Sequence, residues 1–182
     1  MRNNSSIINF ETVDPRKNLP AHLARKRGEL LYLSAFQRAF VAGRSGNGVG
    51  GRQFAVSGYG MADFVWADAS GCESKPTLMA FEMKLRDWKK GLSQAYRYSY
   101  FADHSVVVLP PEAIGPAKAN MNTFKKMQIG LWSFDPKSRT IREIHKPKAS
   151  RPRNPNAKEK ALSLLCRHAK FRKFLEGSNS LV

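Results

Sequence analysis

The chain predicts an α/β fold: an αβββαβ core with a central mixed sheet flanked by helices, then a hairpin and a basic C-terminal helix. Three observations carry this. A helical pattern precedes a run of strand-like segments. A second helical pattern, over residues 88–102, separates two apolar strands, the arrangement of a parallel crossover. The length of 182 residues with 42% hydrophobic content fits a single domain able to bury a core.

Residues 1–18 are polar with a short apolar patch at 7–10, expected as an arm or edge strand without chemistry. From Pro20 the pattern turns helical; proline suits a first turn, and Gly43 is a plausible stop. Glu29, Leu33, Phe36 and Phe40 are spaced by four, three and four, so they share one face. A carboxylate continuing a core stripe points inward or to a cleft edge; an ion pair with Arg25 or Lys26 is the competing reading. Residues 43–51 are glycine-rich but lack the GK[ST] ending of a phosphate loop and precede no helix. They are expected to be a flexible loop, with Arg44 and Arg52 within reach of a phosphate.

Three strands follow: 53–57, 61–68 after the turn Gly58-Tyr59-Gly60, and 77–84 after a loop at 67–76. Alternation places Asp63, Val65 and Ala67 on one face of the second strand, against Phe64 and Trp66. In the third, Ala80, Glu82 and Lys84 oppose Phe81 and Met83. Pairing these strands brings Asp63, Glu82 and Lys84 together. Asp87 is placed to cap the next helix, whose inward stripe is Trp88, Leu92, Ala95, Ser99 and Ala102. Gln94 and Tyr98 sit on its flank, with Lys90 one turn earlier. Residues 105–110 read as a buried parallel strand, 111–126 as a helix or irregular connection, and 129–134 with 140–145 as a hairpin. A proline- and cation-rich linker, 146–156, is expected to be extended and to lead into a last helix at about 157–175. The organisation is thus a core to residue 146, a linker at 147–156, and a basic helix within 157–182 on the same domain.

Lys and Arg number 31 against 14 Asp and Glu, a net charge of +17, which points to a polyanionic partner. Between residues 136 and 176, thirteen Lys and Arg face three Glu, so more than half of that charge lies near the C-terminus and suits nucleic-acid phosphates. No run approaches the ~18 apolar residues of a membrane span, and the N-terminus lacks a signal-peptide core. Cys72 and Cys166, with no CxxC, read as free thiols in a reducing cytoplasm rather than zinc or iron–sulfur ligands.

Charges inside apolar strands are costly unless paired, and a metal ion is a common partner. Two carboxylates, Asp63 and Glu82, with a backbone carbonyl such as that of Met83, form a hard oxygen set suited to Mg²⁺ or Mn²⁺. Lys84, two residues after Glu82 on the same face, can orient or deprotonate a metal-bound water and stabilise an oxyanion. The competing reading is a same-face Glu82–Lys84 ion pair and an Asp63 bonded to backbone amides.

These residues carry a resemblance. Ala62-Asp63, then Glu82-Met83-Lys84 on the next strand, then a helix with Gln94-Ala95-Tyr96-Arg97-Tyr98, resembles the PD-(D/E)xK nuclease superfamily, with the QxxxY of its RecB-type branch. It covers residues 27–109. It implies a restriction-endonuclease-like fold and a Mg²⁺- or Mn²⁺-dependent deoxyribonuclease of DNA repair, recombination or defence. It also implies catalytic roles for Asp63, Glu82, Lys84 and the leading-helix Glu29, and DNA contacts from Gln94 and Tyr98, with Lys90, Arg97 and Arg86 around them. Ala62 replaces the motif's proline, and the four cysteines of iron–sulfur members are absent. A Holliday-junction resolvase-like endonuclease, which needs a dimer, and a non-catalytic DNA-binding module remain alternatives. A homodimer or an accessory partner in a larger complex stays open.

Overall fold

Alternating apolar residues build a single open sheet, and its two faces select different helices. The computed structural model describes residues 6–9, 21–44, 48–68, 75–147 and 151–179. Among them seven strands pair in sequence order: β1 (Ser6–Asn9), β2 (Gly48–Val56), β3 (Gly60–Asp68), β4 (Thr77–Met83), β5 (His104–Leu109), β6 (Gly130–Asp135) and β7 (Thr140–His145). β2, β3 and β4 form an antiparallel meander, β4, β5 and β6 run parallel, β1 pairs parallel to β2, and β7 returns antiparallel to β6. The protein is therefore an α/β fold on a mixed sheet, and residues 6–9 are an edge strand.

Helix α1 (Ala21–Ala42) lies between β1 and β2, and α2 (Trp88–Tyr98) is the crossover from β4 to β5. A 3₁₀ turn at Pro111–Ala113, α3 (Ile114–Ala119) and α4 (Met121–Met127) link β5 to β6. The expected hairpin is β6–β7. Helices α5 (Pro155–Cys166) and α6 (Ala169–Asn179) close the described chain, so the C-terminal segment holds two helices where the sequence suggested one. Pro155 takes a first-turn position, and the Asn154 side chain accepts the Asn156 and Ala157 N–H groups, which starts the helix earlier than its apolar pattern does. Among the described residues no helix is long and apolar enough to cross a membrane.

One sheet face is aromatic. Phe36 and Phe40 of α1 pack onto Phe64, Phe81, Trp132 and Phe134, with Phe40 and Phe81 ring centroids 5.1 Å apart. The other face carries smaller residues, Val65, Ala67 and Ala80, and these admit Tyr98 and Phe101 together with Ala161, Leu165 and Phe171 from α5 and α6. A buried ion pair pins α5: Lys158 Nζ lies 2.7 Å from Asp103 Oδ2, which also accepts the Leu78 N–H at 2.7 Å. Cys166 is a partly buried free thiol, and Cys72 lies outside the described residues.

The glycine-rich stretch corrects the sequence reading. From Gly48 it is strand, not loop; residues 45–47 lie outside the described residues. A Cβ at Gly48 would stand 2.0 Å from Trp66 Cζ2, and one at Gly50 2.5 Å from Phe64 Cε2. These glycines are vacancies that let two aromatic rings cross the neighbouring strand. Further along β2, Gln53 adopts a left-handed φ of 51°, which breaks the alternation; Val49 and Phe54, five residues apart, consequently share one cluster.

Gly50→Ala is expected to destabilise the fold by about 2–4 kcal/mol, because a buried ring must move. Gly43→Ala, where the new methyl meets nothing nearer than 3.5 Å, is expected to change stability by less than ~0.5 kcal/mol. Urea midpoints of the two variants check the contrast.

Candidate active site

The β3–β4 ladder runs from Asp68–Thr77 to Phe64–Phe81. One residue further the Asp63 side chain replaces it: Oδ2 accepts the Met83 N–H at 2.8 Å. Lys84 meanwhile donates its backbone N–H to Val108 O at 3.1 Å, keeping the end of β4 on β5. The splay between β3 and β4 therefore opens at Asp63, Glu82 and Lys84, which the fold brings together at one end of the sheet.

Glu82 is the centre of this group, only 1% exposed. Its Oε1 lies 2.5 Å from Lys84 Nζ, and its Oε2 lies 2.7 Å from the Tyr98 hydroxyl. Tyr98 also lies 2.6 Å from Met61 O, so its single proton serves one of two acceptors at a time. Lys84 Nζ donates to Met83 O as well, at 3.2 Å. The lysine stem passes α2 at Gly91, where a Cβ would approach Lys84 Cγ to 3.0 Å. Gly91 is a site residue that the sequence reading missed; a glycine within a helical pattern was its available signal.

Burial, then the Glu82 charge, pushes the Asp63 carboxyl up to about 7, against the Met83 N–H and Lys84, which lower it; the Glu29 charge adds to the rise. Burial likewise raises Glu82, outweighing its bonds to Lys84 and Tyr98. For Lys84, burial works against the ammonium, but the Glu82, Asp63 and Glu29 charges outweigh it and raise the pKa. Burial and the Glu82 charge keep the Tyr98 phenol protonated. With Asp63 and Glu82 both ionised the group would carry more negative charge than its one cation balances, and the raised Asp63 pKa reflects the cost of that state.

That excess bears on the expected metal. Asp63 and Glu82 supply carboxylate oxygens and Met83 a carbonyl oxygen, and the Lys84 ammonium bridges the two β4 oxygens as a cation. Hard oxygen donors around a surplus of negative charge fit Mg²⁺ or Mn²⁺. Among the described residues no three Asp, Glu, His or Cys side chains form a ready-made metal cage, so the set is two carboxylates and a carbonyl. Glu29, half-buried on α1, stands within electrostatic reach. The side chains of Arg25 and Lys26, its alternative partners, lie outside the described residues.

Tyr98 requires a correction. It is fully buried, with its hydroxyl committed to Glu82 and Met61, so it positions Glu82 and offers no surface to DNA. Gln94 lies beside it, half-buried, with Oε1 buried and without a hydrogen-bond partner. Arg86, Lys90 and Arg97 are exposed, and Arg97 lies beside Gly60 at the start of β3. Arg44, expected near a phosphate, is paired with Asp68 at 3.3 Å and lies over the Phe40 ring. It lines a cavity of about 350 Å³ with His104 and Lys146 at the opposite end of the sheet, away from this group. Arg52 is half-buried, and its Nε has no hydrogen-bond partner.

Neither a protein-family model nor a curated protein matches the chain.

Two substitutions test the electrostatics. Asp63 has a folded-state pKa of about 7, above its unfolded value, so its ionisation costs stability as pH rises through that range. Asp63→Asn keeps an acceptor for the Met83 N–H, and is expected to raise Tm by roughly 2–8 °C at pH 8 in EDTA, with a smaller gain at pH 4.5. Tyr98→Phe is expected to lower stability by about 1–3 kcal/mol, since the buried Glu82 carboxylate loses a donor. Thermal and urea melts at both pH values read these effects.

Proposed function

We propose that this protein is a Mg²⁺- or Mn²⁺-dependent deoxyribonuclease of restriction-endonuclease-like fold, hydrolysing phosphodiester bonds in DNA repair, recombination or defence. The observation that carries the reading is the convergence of Asp63, Glu82 and Lys84 at the splayed end of β3 and β4. The element order α1-β2-β3-β4-α2-β5, the αβββαβ succession of that fold, supports it. So does a net charge of +17, which favours a polyanionic substrate.

Asp63, Glu82 and the Met83 carbonyl would hold the ion. Bound there, Mg²⁺ or Mn²⁺ activates water and neutralises charge on the phosphate. Lys84, kept as an ammonium by the surrounding carboxylates, orients water and offsets the negative charge that develops on the phosphate; it does not serve as the base. Tyr98 fixes the Glu82 carboxylate through Oε2, leaving Oε1 directed toward Lys84. Arg86, Lys90 and Arg97, exposed around the group, bind phosphates along the DNA.

Cleavage assays with Mg²⁺ or Mn²⁺ on single-stranded, duplex and branched DNA are expected to show activity that EDTA abolishes. Lys84→Ala and Asp63→Asn are expected to lose at least ~100-fold in rate while DNA affinity stays within about threefold. Circular dichroism verifies that each variant is folded. Wild-type protein that leaves all three substrates intact in both ions overturns the reading.

A further inference from the structure

The row of residues that holds Glu82 continues across the sheet. Glu82 is in register with Val107 of β5, and Val107 with Leu131 of β6. Two residues on, Leu109 pairs with Ser133, and alternation puts both on the face that carries Glu82 and Lys84. Val107, Leu109 and Leu131 indeed share one core cluster with Leu92 and Ala95 of α2. Ser133 therefore stands level with Lys84, two strands away, about 10 Å across the sheet.

At Ser133 the surface opens into a cleft of about 370 Å³ between α3 and the β6–β7 hairpin. Its rim carries Lys118 and Arg142, both exposed and in no ion pair among the described residues. The acid on the lining, Asp135, is engaged within the hairpin: it accepts the Lys137 N–H at 2.9 Å and the Ser138 hydroxyl at 2.8 Å. Ile114 and Ile144 give the cleft an apolar wall. Exposed Arg86, Lys89 and Lys90, beside Lys84, carry positive charge at the same end of the sheet. In open α/β sheets, the carboxyl ends of parallel strands are where ligands bind, and β4, β5 and β6 all end here.

We propose that this cleft is a nucleotide subsite for the substrate strand, with Lys118 and Arg142 binding a phosphate that flanks the one at Lys84. The proposal rests on the nuclease reading above. The lateral offset, two strands from Lys84 to Ser133 and a third to Arg142, separates this phosphate from the one at Lys84 along the same substrate strand. The apolar wall receives a base or sugar, and the two cations fix the register of the strand over the catalytic group.

The test compares wild type, Lys118→Ala/Arg142→Ala, and Lys126→Ala/Lys146→Ala, which removes the same charge from the opposite end of the sheet, where neither lysine is in an ion pair among the described residues. Fluorescein-labelled oligonucleotides are titrated by anisotropy in EDTA over a series of salt concentrations. The cleft pair is expected to weaken binding roughly tenfold, and, for the one phosphate lost, to lower the slope of log affinity against log salt by about 0.7 on single strands or about 0.9 on duplex. The control pair is expected to change affinity less than about threefold. All four side chains are exposed, so unaltered melting curves are expected. Equal effects of the two pairs, or none from the cleft pair, in a protein that cleaves DNA overturn the subsite alone. Wild-type protein that binds no DNA at low salt overturns both the subsite and the nuclease reading.

Discussion

A carboxylate buried to the extent of Glu82 dictates what surrounds it. Removing such a group from water costs several kcal/mol unless each oxygen finds a partner. Lys84 supplies one on the same strand, and Tyr98 supplies the other from α2. Each brings its own requirement. The lysine stem needs a gap in α2, which Gly91 gives, and the tyrosine ring needs a shallow sheet face, which Val65, Ala67 and Ala80 give. The glycine within α2 and the small residues on that face, which also seat Phe101 and the helices α5 and α6, accommodate the two partners of one buried charge.

The opposite face solves a different problem. The strands must stay fixed while their ends splay, and the aromatic layer of Phe36, Phe40, Phe64, Phe81 and Trp132 anchors them. Rigidity there permits the ladder to stop at Phe64–Phe81 without unravelling. The Asp63 carboxylate then accepts the Met83 N–H that the ladder leaves without a backbone partner. A side chain that terminates a sheet in this way is structural and chemical at once. It holds the gap open and places an oxygen in it.

Period-two alternation made much of this legible. Asp63, Glu82 and Lys84 were brought together by parity alone, and the crossover helix and the hairpin were legible from apolar runs and turn residues. Parity could not report the direction of Tyr98. On a helical wheel it lies at the margin of the apolar stripe, and only the depth of the sheet face decides whether such a ring turns inward. The glycines at 48 and 50 were misread for a related reason. Glycine content signals flexibility in isolation, whereas here the missing Cβ atoms are filled by rings from another strand. The break between α5 and α6 carries no proline or glycine, so local composition did not mark it.

The charge distribution links the fold to the proposed chemistry. A molecule with a net charge of +17 attracts polyanions to most of its surface, yet the candidate centre is a local surplus of carboxylate. A phosphate approaching Asp63 and Glu82 meets repulsion that Lys84 alone does not cancel. Exposed Arg86, Lys89, Lys90 and Arg97 can hold the backbone on either side, but contacts to flanking phosphates do not neutralise the space between the reacting groups. On the nuclease reading, a divalent ion at the carboxylates does so. On that reading the ion also takes the place of the proton that burial favours on Asp63, so binding would be coupled to proton release as pH falls below about 7.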